Sequence, residues 1–305
     1  MREVYLNITY ECNSNCVFCA AEHEIVGQCG KMNFEEIVGV LEKIGLIKGD
    51  EVIINGGEPT IHKDLLRIIR YIKSKQADVV LFTNGRTFKN MPFLMEIYEQ
   101  NLSQISIPIH GDEMTHDKIT RVKGSYRETL EGISNLKKIK NSKKTSIELK
   151  VVLCKSNLEV ITQAVERILQ YEVADRILIS ALFQTEVANK NNEILTPNEI
   201  IPVVIDILNR IKKSSYEGNV VLYGIPLCIM GDEEIEFLIK RMESNSRFVG
   251  NQFEEIYIDY MKKGEYIKDF DNNKCLVSCC KLRNYCEIGD GSNYRMYLKL
   301  LNPFM

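Results

Sequence analysis

The sequence has no strong excess of charge of either sign, no long apolar run and no cleavable signal pattern. Lysine and arginine total 39 and aspartate and glutamate total 42, so the net charge of −3 gives no electrostatic reason to expect a nucleic-acid partner. A transmembrane helix needs about 20 apolar residues, and no such run is present. The first predicted strand leads straight into a cysteine-rich loop, which leaves no room for a signal peptide. We therefore expect a cytoplasmic protein with neither a nucleic-acid partner nor a membrane anchor.

Cysteine is unusually frequent, with ten in 305 residues. In a cytoplasmic chain, cysteines at this frequency indicate metal binding rather than disulfides. The first group lies in YECNSNCVFCA and consists of Cys12, Cys16 and Cys19, a C-x3-C-x2-C run at the end of the first predicted strand. Three thiolates are one fewer than a four-iron cluster takes, so such a cluster would keep one iron open to another ligand. Structural zinc, completed by His23 or His62, is the alternative.

A glycine-rich loop follows the second predicted strand. That strand, EVIIN at residues 51–55, is apolar and typical of buried parallel sheet, and Gly56, Gly57, Glu58 and Pro59 come directly after it. In α/β folds, ligands bind at the carboxyl ends of the strands, where glycines let the backbone approach a ligand closely. The same residues also fit a plain turn from a strand into a helix that begins with proline.

Apolar strands alternate with amphipathic segments over the first 180 residues or so. Strands are predicted at residues 3–9, 51–55, 78–83, 104–109, 146–153 and 176–182, and helices near 33–46, 62–75, 92–100, 125–140 and 158–171. Asn33 followed by Glu36 offers a capping box for the first helix. Alternation of this length predicts an α/β fold with a parallel sheet and right-handed crossovers. Six units are too few to close an eight-unit barrel.

The cysteine run, with Phe18 before the third cysteine, and the GGEP loop together resemble the radical S-adenosylmethionine (SAM) superfamily. The resemblance implies a partial (β/α)6 TIM barrel that is open on one side to admit a substrate. It also implies that Cys12, Cys16 and Cys19 hold a four-iron, four-sulfur (4Fe–4S) cluster whose open iron binds the amino and carboxylate groups of SAM. In this family, one electron from the cluster splits SAM to methionine and a 5′-deoxyadenosyl radical, which abstracts a hydrogen atom from a substrate.

Further SAM contacts follow from the same resemblance. It assigns the amino group of SAM to the loop of Gly56, Gly57, Glu58 and Pro59, with the acidic side chain and the backbone as acceptors. VVLFTNG resembles the family's polar loop around the methionine and ribose of SAM, which makes Thr83 and Asn84 candidate contacts, although a plain Asn-Gly turn also fits.

The next strand end extends the resemblance but departs from it at one position. Arg121 is the candidate partner of SAM's carboxylate, because a planar guanidinium can donate two hydrogen bonds to it. Pro108 stands where the family places a serine near the ribose, and Ser106 is the nearest hydroxyl on the same strand face. His110 and His116 are either solvated loop histidines or groups that face the substrate.

A second cysteine group lies in the C-terminal third. YGIPLCIMG contains one cysteine and KCLVSCCKLRNYC four more, and the stretch resembles the auxiliary-cluster appendages called SPASM or twitch domains. The resemblance implies a barrel over residues 1–215 and a small cysteine-rich appendage over residues 216–305. It also implies a second 4Fe–4S cluster, with the preferred ligands Cys228, Cys275, Cys280 and Cys286, and Cys279 able to exchange with Cys280. Zinc is again the alternative.

The resemblance also directs the prediction of a substrate. SPASM and twitch members act mostly on peptides, so we predict a ribosomally made peptide that is crosslinked or epimerised, with flavodoxin or ferredoxin as electron donor. Epimerisation needs a hydrogen-atom donor, and an unligated thiol among Cys228, Cys279 and Cys280 is a candidate. Cys154 follows an apolar strand and is expected to be buried and inert. The alternatives are a radical SAM enzyme for a small metabolite and a non-catalytic zinc or iron–sulfur binding module.

Overall fold

The computed structural model describes residues 2–19, 30–140, 145–182, 184–225, 227 and 230–243, and the backbone of two strands at 254–258 and 266–269. The candidate ligands of the second cluster, Cys228, Cys275, Cys279, Cys280 and Cys286, lie outside the described residues. His23 lies outside them as well. None of the described helices is long and apolar enough to cross a membrane.

The described strands form one open, nine-stranded sheet in the order β7-β6-β5-β4-β3-β2-β1-β8-β9. Neighbours pair in parallel along the sheet, except that β9 runs antiparallel to β8. The strands are β1 Arg2–Thr9, β2 Glu51–Gly56, β3 Asp78–Phe82, β4 Gln104–Pro108, β5 Ser146–Leu153, β6 Arg176–Ala181, β7 Asn219–Tyr223, β8 Glu254–Ile258 and β9 Tyr266–Asp269.

The helices cover one face of this sheet. They are α1 Phe34–Ile44, α2 Leu65–Ser74, α3 Met91–Tyr98, α4 Glu113–Thr120, α5 Ser125–Ile139, α6 Ile161–Gln170, α7 Glu186–Lys190, α8 Pro197–Lys213 and α9 Asp232–Glu243. α1 begins with the predicted capping box, because Asn33 accepts a hydrogen bond from the Glu36 amide and the Glu36 side chain accepts one from the Asn33 amide. The sequence analysis missed α4, a short helix without a clear apolar stripe, and it made no prediction for α7, α8 and α9.

The α/β architecture and the open parallel sheet predicted from the sequence are confirmed. Each of the six predicted strands matches an observed strand to within one residue at either end. The count of six units was too low, because β7 pairs in parallel with β6 and makes seven consecutive parallel strands from β1 to β7. β7 lies past residue 215, at which we place the boundary of the appendage, and that boundary stays a prediction.

Side chains alternate between the two faces of each strand, and only one face packs against the helices. In β5, Ile147, Leu149 and Val151 are fully buried in the core between sheet and helices. Glu148 and Lys150 therefore point to the opposite face, which we call the inner face. The carboxyl ends of the parallel strands lie along one edge of the sheet, and the loops that follow them carry the candidate site.

Candidate active site

The loop that carries the three cysteines follows β1 and is fixed by backbone hydrogen bonds to the end of α4. The Asn15 amide donates to the Thr120 carbonyl at 3.0 Å, and the Val17 amide donates to the Ile119 carbonyl at 2.9 Å. Within the loop, the Cys19 amide donates to the Cys16 carbonyl at 3.1 Å. A short turn therefore fixes the spacing of Cys16 and Cys19, and the loop that carries them is anchored to the end of α4.

The GGEP loop contacts the cysteine loop through the backbone of both. The Gly57 amide donates to the Thr9 carbonyl at 2.6 Å, and the Glu58 amide donates to the Glu11 carbonyl at 2.8 Å. A Cβ on Gly57 would lie 2.1 Å from the Glu11 oxygen, and one on Gly56, whose φ is +128°, would lie 2.2 Å from the Thr9 oxygen. The sequence analysis attributed these glycines to the approach of a ligand, whereas in the structure the space beside them is filled by the cysteine loop.

Glu58 joins the GGEP loop to the loop after β3. Its carboxylate is buried and accepts hydrogen bonds from the Thr60 amide at 3.0 Å, the Thr83 hydroxyl at 2.7 Å and the Asn84 amide at 2.7 Å, as well as from the Thr60 hydroxyl. Burial raises the pKa of Glu58, and these hydrogen bonds act in the opposite direction. The structure thus places three of the predicted site residues, Glu58, Thr83 and Asn84, in one hydrogen-bonded cluster.

Two side chains from the loop after β3 reach the cysteine loop. Asn84 Nδ2 donates to Asn13 Oδ1 at 2.6 Å. Arg86 Nη1 donates to the Asn13 carbonyl and, at 3.2 Å, to the Ser14 hydroxyl, while its Nε donates to Glu128 at 2.7 Å. The sequence analysis missed Arg86. The only signal was an arginine directly after the TNG turn, and its target lies more than 70 residues away in the chain.

Arg121 lies on the other side of the cysteine loop, at the end of α4. It adopts a left-handed conformation with φ +55°, and its Nη2 donates to Asn191 Oδ1 at 3.1 Å. Asn191 in turn donates to the Val17 carbonyl at 2.7 Å, so the residue that follows α7 also holds the loop. The charge of Arg121 acts to lower the pKa of Cys16, against the larger effect of burial.

The three thiols lie close enough to influence one another and are partly exposed. Burial raises the pKa of Cys12 to about 12, since a thiolate loses solvation there, and the Ser14 amide and the Arg86 charge oppose this while Glu58 and Cys19 add to it. Burial also raises the pKa of Cys16. Without a bound cation, Cys12 and Cys16 would stay protonated, and bound iron supplies the positive charge that thiolates need.

The contacts of His62 argue against the zinc alternative that uses it. Its Nδ1 accepts a hydrogen bond from the Asp64 amide at 3.1 Å, which leaves the proton on Nε2, and Nε2 lies 2.8 Å from the Met32 carbonyl. A ligating imidazole needs a free ring nitrogen. Among the described residues, no group of three or more His, Cys, Asp or Glu side chains is close enough to hold a single metal ion. Three thiolates on one anchored loop are the donor set that suits a cluster, in which each cysteine would bind a different iron.

Phe18 and two histidines pack behind the cysteine loop. The Phe18 ring meets the His110 ring edge-on at 5.2 Å, and the His110 and His116 rings lie 5.1 Å apart. The His110 amide donates to His116 Nδ1 at 3.3 Å. Both histidines are buried, so they are not solvated loop residues. Burial lowers the pKa of His116 to about 4 and that of His110 well below its usual range.

The depressed pKa of His116 predicts that stability falls on acidification. Between pH 6.5 and pH 4 the unfolded state binds more protons than the folded state, so the free energy of unfolding rises with pH across this window. From pH 6.5 to pH 5 the wild type should lose about 2 kcal/mol through this one group. His116→Asn keeps an acceptor for the His110 amide but does not titrate. Urea unfolding at both pH values should show a smaller loss for the variant, and equal losses would contradict the prediction.

Comparison with known families gives a direct match. The family model described as "Radical SAM superfamily" matches residues 6–168, more than half of the chain. Fe-coproporphyrin III synthase of Methanosarcina barkeri is 27% identical over 216 residues, which cover 70% of this chain and 53% of that protein. A probable GTP 3′,8-cyclase of Pyrococcus horikoshii is 34% identical over 139 residues, which cover 44% and 42%. The chain thus spans about half the length of these curated relatives.

Solved structures share the fold at low sequence identity. Streptococcus suis SuiB bound to S-adenosylmethionine superposes with a TM-score of 0.61 at 14% identity, covering 93% of this chain and 72% of SuiB. SuiB bound to precursor peptide SuiA gives 0.60 at 14% identity, with coverage of 84% and 57%. The protein anSMEcpe with bound AdoMet and Kp18Cys peptide gives 0.54 at 14% identity, with coverage of 68% and 59%. These similarities establish the fold.

Proposed function

This chain belongs to the radical SAM superfamily, and we propose that Cys12, Cys16 and Cys19 hold the 4Fe–4S cluster that the family implies, with SAM bound beside it. When bound, the cluster and SAM supply a reducing electron and a 5′-deoxyadenosyl radical that can remove a hydrogen atom from a substrate. The observation that carries the proposal is the anchored C-x3-C-x2-C loop, joined through its backbone to the GGEP loop.

The remaining site residues orient these groups. Gly56, Gly57 and Pro59 shape a backbone edge for the amino group of SAM, and Glu58 fixes that edge to the next loop through Thr83 and Asn84. In this arrangement the Glu58 carboxylate acts mainly by positioning the two loops, because its hydrogen bonds to them already occupy both oxygens.

On the opposite side of the cysteines, Arg121 supplies a cation for SAM's carboxylate. Phe18 covers the loop from behind, where its ring packs on His110. Flavodoxin or ferredoxin is the proposed electron donor.

We propose a ribosomally made peptide as the substrate, to be crosslinked or epimerised. Support comes from the open sheet, which is not closed into a barrel, and from the solved proteins of the same fold whose structures hold peptides, SuiB with SuiA and anSMEcpe with Kp18Cys peptide. A second cluster held by Cys228, Cys275, Cys280 and Cys286, with Cys279 able to replace Cys280, is part of this proposal.

A small metabolite is the second candidate substrate. It is favoured by the names of the sequence relatives, which include Fe-coproporphyrin III synthase, AdoMet-dependent heme synthase and probable GTP 3′,8-cyclases. Each of these names refers to a tetrapyrrole or a nucleotide rather than a peptide. Activity assays with a peptide encoded beside this gene and with such metabolites separate the two candidates.

Anaerobic reconstitution tests the shared chemistry first. We expect the purified chain to bind iron and sulfide, to absorb visible light and to release 5′-deoxyadenosine from SAM when a reductant is added. About four irons per chain indicate one cluster, and about eight indicate the second cluster as well. Removal of iron with a chelator should abolish 5′-deoxyadenosine release. Stable zinc without visible absorption, and no SAM cleavage, would overturn the proposed function.

A further inference from the structure

On the inner face of the sheet, the side chains of Ser106, Glu148 and Arg176 contact one another. Glu148 on β5 is buried, and its Oε1 accepts a hydrogen bond from the Ser106 hydroxyl of β4 at 2.6 Å. Its Oε2 lies 2.8 Å from Arg176 Nε of β6, so carboxylate and guanidinium form a buried ion pair. The negative charge of Glu148 is therefore already balanced by Arg176.

Lys150 lies two residues further along β5, toward the carboxyl ends of the strands where the loops of the active site begin. Its register neighbours are Pro108 on β4 and Leu178 on β6, and neither side chain can accept a hydrogen bond. The Nζ lies 5.8 Å from the centre of the Phe82 ring on β3, so the side chain extends over β4 along the inner face. In the part of the chain that the structure describes, the Lys150 ammonium has no hydrogen bond or ion pair, and the Phe82 ring is the group recorded beneath it.

Among the described residues, the charges that act on Lys150 are those of Glu148 and Arg176, and these two already pair with each other. Glu148 is engaged with Arg176, and burial lowers the pKa of His110, the titratable group at the end of the neighbouring strand, so that this histidine carries no charge near neutral pH. Lys150 is half-buried, and the loss of solvation lowers its pKa, with Arg176 adding to this effect and Glu148 opposing it. Among the described residues, this partly buried ammonium has an aromatic ring beside it but no hydrogen-bond acceptor or anion of its own, which is costly, and a ligand that brings a negative charge removes that cost.

We propose that Lys150 binds an anionic group of the substrate, a carboxylate or a phosphate, on the inner face below the SAM site. The inference rests on the proposed function, because it assumes that the inner face receives the substrate. SAM also carries a carboxylate, but the proposed function already assigns Arg121 to it, at the end of α4 that anchors the cysteine loop. The site narrows the substrate to a molecule with an acidic group, such as an acidic side chain or chain end of a peptide, or a carboxylated or phosphorylated metabolite.

Chemical labelling of Lys150 tests this even while the substrate is unidentified. The reconstituted full chain, saturated with SAM, is treated with N-hydroxysuccinimidyl acetate, and the acetylation rate at each lysine is read by mass spectrometry. Citrate serves as the carboxylate probe and pyrophosphate as the phosphate probe, with sodium chloride at equal ionic strength as the blank. We expect one probe to slow acetylation of Lys150 by about tenfold at a tenfold excess over its Kd. Lys43, exposed in the last turn of α1, should not respond.

The identity of the protecting probe tells a carboxylate site from a phosphate site. Calorimetric titration of that probe should give a Kd at least about tenfold weaker for Lys150→Met and within about threefold of wild type for Lys150→Arg, which keeps the charge. Lys43→Met is the matched control, and far-UV circular dichroism confirms that each variant is folded.

Three results would overturn the inference: no protection by either probe, full protection by SAM alone, or an Lys150 that does not react at all. Labelling of Lys150 does not depend on turnover. A chain that fails to cleave SAM would therefore contradict the proposed function, but protection of Lys150 by a probe would still show that an anion binds there. Conversely, release of 5′-deoxyadenosine without protection of Lys150 would contradict the anion site at Lys150 and leave the proposed function intact.

Discussion

A Cys16→Ala variant is expected to release no 5′-deoxyadenosine above the background of the reductant, while the wild type turns SAM over. The physical reason is that, in the proposed function, the cysteine loop supplies three thiolates to three different irons, and removal of one would leave two irons without a protein ligand. Cys16 lies between its two partners in the chain, and its carbonyl accepts the hydrogen bond of the turn that ends at Cys19. No other described cysteine can replace it, since Cys154 is fully buried.

Cys154→Ala is the matched control for this experiment. Cys154 lies in a small apolar cluster with Phe18, Ile119, Leu182 and Ala188, and burial raises the pKa of its thiol, in agreement with the expected inert role. The control should keep its iron and its SAM cleavage and lose about 1 kcal/mol of stability through the cavity it creates. Iron analysis and 5′-deoxyadenosine assays on the two variants in parallel test whether Cys16 is needed for the cluster and for SAM cleavage. A Cys16→Ala protein with wild-type iron content and activity would exclude the assigned cluster site.

Most of the fold could be predicted because buried parallel strands are encoded locally. β2 appears in the sequence as a short apolar run and β5 as an alternation of apolar and polar residues that ends in an apolar run, and the structure has both where these patterns predict them. β7 escaped prediction because it is separated from β6 by α7 and α8, two helices for which the sequence analysis made no prediction, so the alternation of strands and helices was not followed as far as β7. α4 escaped because it is eight residues long, and its buried residues include His116 and two threonines rather than an apolar stripe.

Some features of the site can likewise be predicted from neighbouring residues in the sequence, and others depend on contacts between distant parts of the chain. Cysteine spacing and the GGEP sequence are local, and the structure places both at the carboxyl ends of adjacent strands. The side chains that hold the cysteine loop are not local to it: Arg86 acts on Asn13 across 73 positions and Asn191 acts on Val17 across 174. A single arginine or asparagine in a loop carries no pattern that names such a distant partner. These contacts follow only from the topology that brings the strand ends together.

For the two glycines of the GGEP loop, the sequence correctly predicts a close approach of the backbone but gives the wrong group that approaches it. The sequence indicates that backbone must pass close to something at this point, but not what that is. In the structure the neighbour is the carbonyl edge of the cysteine loop at Thr9 and Glu11. The glycines therefore set the distance between the proposed cluster ligands and the proposed SAM-binding edge, and any cofactor contact there depends on that distance.

Gly57→Ala should consequently damage both stability and cofactor retention. A Cβ at this position would meet three backbone atoms, the Glu11 oxygen at 2.1 Å, the Glu11 carbonyl carbon at 2.7 Å and the Tyr10 carbonyl carbon at 2.8 Å. Backbone cannot rotate away as a flexible side chain can, so the two loops must separate and lose the hydrogen bonds from Gly57 to Thr9 and from Glu58 to Glu11. We expect a loss of about 2 to 4 kcal/mol in the free energy of unfolding, and a large drop in SAM cleavage.

Gly39→Ala separates this effect from the general consequences of replacing a glycine. Gly39 lies within α1, and a Cβ there would meet nothing within 4 Å, so the substitution should stabilise the chain by about 0.5 to 1 kcal/mol through helix propensity and leave the iron content unchanged. Urea unfolding of the metal-free proteins under reducing conditions measures the first effect, and iron counting after reconstitution measures the second. If Gly57→Ala matched Gly39→Ala in both measurements, the contact between the GGEP and cysteine loops would not position the cluster, and the assignment of this edge to SAM would lose its structural basis.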